Sequence, residues 1–315
     1  MIAFLDFEKP VAELLARIAE LRESADNGGA NIASELTRLE AKADKMLADT
    51  YARLTPWQKT QVARHPDRPH FKHYVARLFD DFVPLAGDRG FGEDLAIMGG
   101  FARFHGRKVM VIGHEKGDDT TSRLKHNFGM GKPEGYRKAV RLMSLADRFA
   151  LPVITLVDTS GAFPGLVAEE RGQAEAIARS TEACLSLGVP MVAAILGEGG
   201  SGGAVALSAA NHVMMMEHAV YSVITPEGCA SILWRTADKA AEAAEAMRIT
   251  ASDLASLKVI DTIVKEPVGG AHRSPDSAID AVGTHIEIAL ESLRGMTSAE
   301  LRADRRRKFL AMGAL

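Results

Sequence analysis

Cysteine is almost missing from this chain. Only Cys184 and Cys229 occur, far apart, too few for a four-ligand zinc site or a disulfide framework. Both read as small residues headed for burial rather than reactive thiols. No HExxH and no clustered His/Asp/Glu spacing is present, so no metal is assigned to this chain. The absence of GxxxxGK[ST] excludes a Walker-type nucleotide site. No run of 18 apolar residues occurs, which argues against a membrane-spanning helix. The opening MIAFLDFEKP has no basic stretch leading into an apolar one, so the expectation is a cytoplasmic chain. A net charge of −3 removes any global electrostatic case for nucleic acid, and the basic run RADRRRK at 302–308 reads as a solvated helix end. What remains is 47% apolar and 25% charged over 315 residues, enough for a real core in one large or two modest domains.

Two segments at the start have helical period. Val11, Leu14, Leu15, Ile18 and Leu21 form one apolar stripe, ended by Asn27-Gly28-Gly29. Ile32, Leu36, Leu39, Ala43 and Met46 step by four and three, a heptad-like seam closed by Leu54-Thr55-Pro56. Residues 1–60 therefore read as a helical hairpin, either a cap on its own domain or a docking arm for another subunit, and 61–315 as the main domain. From about residue 95 strands and helices alternate, which argues α/β architecture. Strands are expected at 95–104, 108–114, 152–158, 190–196, 213–216, 220–224 and 259–264, the first two joined through His105-Gly106-Arg107. Helices are expected at 133–149, 169–187, 204–210, 226–234 and 237–247, with a helical pair in the last 45 or so residues. PVITLVD and VAAIL are apolar throughout, as in strands covered on both faces.

The octet GEGGSGGA at 197–204 stands where the apolar run 192–196 stops, and it satisfies three patterns. Gly197-x-Gly199-x-x-Gly202 is a dinucleotide-type fingerprint, with Glu217 placed as a ribose-binding acid. Room for only about ten helical residues before Asn211-His212 counts against it. Gly199-x-Ser201-x-Gly203 is a serine-hydrolase elbow, for which Asp261 with His272 or His285 would have to complete a triad. None of these has a context that marks it, and Ser201 reads more simply as a cap or turn serine. The third pattern is a strand-to-helix turn whose bare amides face an anion.

A second loop of the same kind, DTSGAFPG at 158–165, precedes the octet by about forty residues. Glycine leaves amides unshielded, and a helix start adds roughly half a positive charge. Two such turns brought together suit an oxyanion, and each donor of such a hole is worth about 3–4 kcal/mol of barrier. The plainer alternative is glycine for tight strand–helix packing alone. The cations between Lys125 and Lys138 stand near a helix start and suit either a phosphate-bearing substrate or a solvated loop, while Met214–Met216 reads as core filling.

Taken together, FLDFEKPVAEL (4–14), PLAGDRGFGED (84–94), GHEKG (113–117), NFGMGKPEGYRKAVRLM (127–143), DTSGAFPG (158–165), EERGQAEAIAR (169–179), GVPMVAAILGEGGSGGA (188–204), YSVITPEGCASILW (221–234) and KEPVGGAHR (265–273) resemble the carboxyltransferase alpha subunits of bacterial multi-subunit acetyl-CoA carboxylase. The likeness covers nearly the whole chain. It implies a crotonase-like fold of repeated ββα units, rather than a doubly wound sheet, behind the helical hairpin. It also implies the reaction: a carboxyl group passes from carboxybiotin, on a separate biotin carboxyl carrier protein, to acetyl-CoA, giving malonyl-CoA for fatty acid synthesis.

The partners implied are a zinc-bearing beta subunit, in an α2β2 assembly whose active site lies between the two chains, and a biotin carboxylase that uses the ATP. By motif position, the amides of Gly202 and Gly203 would hold the charge on the biotin ureido oxygen. Gly161 and Ala162 would support them, and Gly199, Gly200 and Ser201 would line the biotin side. The ureido nitrogen would then take the proton from acetyl-CoA, so no protein base is demanded. One departure stands out: the family's first loop usually reads DTPGA, and Ser160 takes the place of its proline, restoring an N–H. A self-sufficient crotonase-like hydratase or isomerase, using Glu198, Glu169 or Glu170, and a non-catalytic scaffold are the competing classes.

Overall fold

The computed structural model describes residues 3–25 and 30–313. Helices α1 (Lys9–Ala25) and α2 (Ala30–Tyr51) pack as a hairpin around Ile18, Leu39 and Ala43, with Leu14, Leu15, Leu21 and Leu36 against them. The turn expected at Asn27-Gly28-Gly29 and the side chain of Ile32 lie outside the described residues. Thr55 starts α3 (Pro56–Ala63) through a reciprocal cap: its hydroxyl accepts from the Gln58 amide, and the Gln58 side chain accepts from the Thr55 amide. Helix α4 (Phe71–Leu78) follows.

The rest builds one sheet. Strands β1 (Asp80–Pro84), β2 (Ile97–Phe104) and β3 (Arg107–His114) are antiparallel. His105 and Gly106 take φ of +46° and +77°, the left-handed pair that a tight two-residue hairpin requires. Helices α5 (Thr120–Lys125) and α6 (Pro133–Arg148) come next; Pro133 opens α6, which buries Tyr136, Ala139, Leu142, Met143 and Ala146. Then come β4 (Val153–Thr159), α7 (Leu166–Glu170), α8 (Gln173–Ser186), β5 (Met191–Gly200) and α9 (Ser201–Ser208). Strands β6 (His212–Met216) and β7 (Val220–Ser222) precede α10 (Pro226–Trp234), α11 (Ala240–Met247) and α12 (Ala251–Ser256). Strand β8 (Thr262–Val264) and helices α13 (Pro275–Ser292) and α14 (Ser298–Ala311) complete the order.

The sheet runs β1-β2-β3-β4-β5-β6-β8 and is parallel from β3 onward. Both faces are covered. A Cβ at Gly99 would strike Leu142 of α6, whereas one at Gly113 would strike Phe71 of α4. Gly113 pairs with Met98, one step from Gly99, so α6 and α4 lie on opposite faces. Every residue of β4 and β5 is buried, which explains their unbroken apolar texture. Two strands followed by helix recur along the chain, as β2–β3 before α5 and α6 and as β6–β7 before α10, in keeping with the crotonase-like expectation and not with a doubly wound sheet.

Three sequence expectations shift around the glycine loops. The helix expected at 169–187 is broken at Gly172, whose φ of +78° ends α7 and starts α8. The strand expected to stop at 196 runs on to Gly200, because β5 forks the sheet: residues 192–195 pair with β6, and 198–200 pair with β7. The following helix therefore begins at Ser201 rather than 204, and half of the octet is strand.

Candidate functional site

The fork brings the two glycine loops into backbone contact. Gly199 pairs with Thr159 on one side and Tyr221 on the other. A Cβ on Gly200 would lie 2.1 Å from the Ser160 carbonyl oxygen. One on Gly203 would lie 2.8 Å from the Ala162 nitrogen. Only glycine permits these approaches. Both loops thus sit at the carboxyl ends of parallel strands, where α/β sheets present their ligands.

The amides differ in availability. Ser201, Gly202 and Gly203 occupy the first turn of α9, whose N–H groups have no intrahelical acceptor. Gly202 and Ala162 are half-buried, while Gly161 and Gly203 are buried. The Gly161 amide, expected to support the hole, donates instead to the Thr159 hydroxyl at 3.1 Å, and that hydroxyl donates to the Gly161 carbonyl at 2.7 Å. Thr159 thus spends the Gly161 donor on holding the loop at φ +153°.

Of the cap and turn roles expected for Ser201 the turn holds: Gly200 is the capping residue, and no side chain bonds there. Ser201 instead takes a left-handed φ of +54°, forced by the sharp strand-to-helix turn. The triad candidates are elsewhere: Asp261 accepts from the Val213 amide and pairs with Lys308, His285 bonds the Ala281 carbonyl, and His272 stacks on His65. Glu217, the candidate ribose acid, is taken by Lys265 and the Glu266 amide. Of the cations at 125–138, Arg137 binds Asp88 and Lys138 binds Glu93, so both are structural. Lys132 sits 5.4 Å over the ring of Phe163 in the first loop.

Sequence reasoning missed a buried charge network beside the loops. Lys116 Nζ lies 2.8 Å from Asp158 Oδ1 and 3.0 Å from Glu198 Oε2. Arg64 Nε takes the other Glu198 oxygen at 2.6 Å, and its guanidinium also pairs with Glu227 of α10. Burial alone would raise the Asp158 and Glu198 carboxyls, but Lys116, with His70 beside Asp158 and Arg64 beside Glu198, holds both below the ordinary carboxylate range. Burial pushes the Lys116 ammonium down, and its two carboxylates outweigh that and raise it. A cavity of about 280 Å³ opens here, lined among others by Arg64, His70, Lys116, Arg123, Ser160 and Glu198. The available signals were an acid inside a glycine run and another at a strand end, though nothing linked them to a lysine some forty residues earlier.

Comparison with known proteins gives the family and the fold. The profile of the family described as acetyl co-enzyme A carboxylase carboxyltransferase-like matches residues 4–313. The acetyl-coenzyme A carboxylase carboxyl transferase subunit alpha of Sphingopyxis alaskensis is 72% identical over 313 residues, covering 99% of this chain and 99% of that protein. The subunit of the same name from Rhizorhabdus wittichii is 71% identical, covering 99% and 100%. Among solved structures, transcarboxylase 12S with methylmalonyl-coenzyme A superposes with a TM-score of 0.55 at 21% identity, over 71% of this chain and 44% of that one. A Pseudomonas malonate decarboxylase hetero-tetramer gives 0.55 at 18% identity, over 69% and 88%. These structures speak for the fold, and the subunit sequences for the family. With two glycine loops apposed at the strand ends and a family match running from Phe4 to Gly313, the chain belongs to the acetyl-CoA carboxylase carboxyltransferase alpha subunits.

Proposed function

We infer that this chain supplies one half of a carboxyltransferase site at which a carboxyl group passes from carboxybiotin to acetyl-CoA, giving malonyl-CoA for fatty acid synthesis. The observation that carries the reading is the apposition of the two loops, with Gly202 half-buried at the start of α9. The site fits such a group because a Cβ at Gly200 or Gly203 would fill the seam between the loops, so that backbone forms its wall. Bound here, carboxybiotin would supply the carboxyl group, whose departure would leave negative charge on the ureido oxygen. The Gly202 and Gly203 amides, without helical partners, would hold that charge, and the α9 dipole would add to them. Ala162 supports from the first loop, while Gly199, Gly200 and Ser201 form the turn facing biotin.

No side chain here is assigned as a base. Of the acids open to a lone hydratase or isomerase, Glu198 has both oxygens held by cations, and it is the relatives' names that favour the carboxyltransferase reading over that one. The relatives are named as alpha subunits, so other subunits belong to the complex. We assign the completing half to a zinc-bearing beta subunit in an α2β2 assembly, served by a biotin carboxyl carrier protein and a biotin carboxylase. Exposed apolar side chains support a covering partner: Leu166 and Val167 follow the first loop, Val205 lies on α9, and Ile232, Leu233 and Trp234 on α10. No described helix is long and apolar enough to cross a membrane.

We also assign residues 1–60 as a docking arm and 61–315 as the transferase body. The hairpin closes its own small core, and α3 crosses the boundary. Glu8 ties the arm to the body through Arg273 at 2.8 Å.

Malonyl-CoA decarboxylation coupled to biotin carboxylation tests the shared site. Alpha alone is expected to be nearly inactive and to gain activity when beta is added. Full activity from alpha alone refutes it.

A further inference from the structure

Three loops end three neighbouring parallel strands here, and one side chain touches two of them from the third. Lys116 follows β3, Asp158 is the last residue but one of β4, and Glu198 lies in the octet at the end of β5. Lys116 Nζ bridges Asp158 Oδ1 and Glu198 Oε2 at 2.8 and 3.0 Å. Asp158 Oδ1 also accepts the backbone amide of Glu198 at 2.9 Å, which pins the octet itself and not merely its side chain. Gly197 makes room for that bond, since a Cβ there would lie 2.6 Å from the same oxygen. Gly129 makes room for the lysine stem, where a Cβ would meet Lys116 Cγ at 2.9 Å. The side chains are 15%, 1% and 10% exposed for Lys116, Asp158 and Glu198, so water screens the contacts little.

We propose that Lys116, acting through Asp158 and Glu198, is a positioning residue that sets the spacing of the two oxyanion loops. The inference rests on the carboxyltransferase reading above and deepens it. Asp158 is two residues from Ser160, whose carbonyl abuts Gly200, and Glu198 is four from Gly202. A change in the Lys116 bridge therefore moves both walls of the hole relative to each other. Arg64 completes the clamp, tying Glu198 to Glu227 of α10. His70 lies 3.4 Å from Asp158 Oδ2, but of the cations beside Asp158 it is Lys116 that also reaches Glu198.

The test uses the complex with its beta subunit and the malonyl-CoA decarboxylation assay. Lys116→Met is expected to lower kcat by about 10–100-fold with KM for malonyl-CoA within about threefold, since a displacement near 1 Å has that effect on well-placed groups. Lys116→Arg, which keeps the charge and two donors, is expected to recover about a third of the wild-type kcat or more. Glu198→Gln keeps the backbone bond to Asp158 and is expected to lower kcat several-fold, again without moving KM, and it decides the matter should Lys116→Met fail to fold. Wild-type kcat in Lys116→Met, or in Glu198→Gln when the first variant does not fold, overturns the proposal. A fall in KM affinity alone, or equal loss in Met and Arg variants, also overturns it. Absence of activity in the wild-type complex would instead refute the carboxyltransferase reading, so the two failures are distinct.

Discussion

Replacing Gly200 by alanine puts a methyl group where the first loop already stands. Its Cβ would lie 2.1 Å from the Ser160 oxygen, 2.2 Å from the Ser160 carbonyl carbon and 2.8 Å from the Gly161 nitrogen. All three are backbone atoms, so no side chain can swing aside. An ordinary carbon–oxygen contact is about 3.4 Å, and the loops must part by about 1 Å to reach it. Misplacement on that scale costs about 10²-fold in rate, equivalent to about 2.7 kcal/mol of barrier. At Gly202 the added carbon would meet only the Ile177 side chain, 3.2 Å away, which yields by a few tenths of an ångström. The reasoning therefore ranks the two substitutions: Gly200→Ala falls about 100-fold in kcat, and Gly202→Ala less than about tenfold. Steady-state malonyl-CoA decarboxylation by the assembled complex measures both, with circular dichroism confirming that each variant is folded. A folded Gly200→Ala within threefold of wild type, or the reverse ranking, refutes the claim that close loop contact is functional.

Ser201→Ala is expected to keep most activity, because the turn contributes amides and no triad surrounds the hydroxyl; a loss near 10⁴-fold in the same assay would mark a nucleophile. Ser201→Gly relieves a left-handed φ of +54° and is expected to raise stability by up to about 1 kcal/mol, with a drop in Tm counting against strain at this position. Arg68→Met strands Glu266, to which Arg68 donates twice at 2.7 and 2.9 Å in a fully buried pair, and is expected to cost about 3–5 kcal/mol in urea unfolding. Burial raises the Glu266 carboxyl, but Arg68 outweighs that and holds it at about 2, below its ordinary 4.5. A depressed carboxyl contributes stability above pH 4.5 that is lost as pH falls toward 2. Glu266→Gln should flatten that part of the stability–pH curve, and an unchanged slope contradicts the assignment.

Much of this architecture was legible where the signal is local. Pro133 and the spacing of Tyr136, Ala139, Leu142, Met143 and Ala146 dictate α6 without help from the rest of the chain. His105-Gly106 dictates its hairpin turn by the conformations that the two residues tolerate. The octet and its companion loop were recognisable because glycine at a strand end has few other uses. What escaped depends on partners distant in the chain. The extension of β5 to Gly200 needs β7 beside it, and glycine-rich sequence alone does not read as strand. The Gly161 amide is a local exception: Thr159, two residues before it, turns its hydroxyl onto that amide, a side-chain orientation that the glycine pattern does not reveal. Lys116, Asp158 and Glu198 carry no mutual periodicity, because three parallel strand ends, and not one element, bring them together.

The central claim is that backbone N–H groups of the octet hold the developing charge. It is tested most directly by replacing Gly202 with glycolic acid, which exchanges that one N–H for an ester oxygen and leaves every side chain in place. The first-turn amide serves no helical bond, so folding is expected to be unaffected. Loss of one such donor predicts a fall in kcat of about 10²–10³-fold for the complex, with KM for malonyl-CoA little changed. A kcat within threefold of wild type would contradict the account.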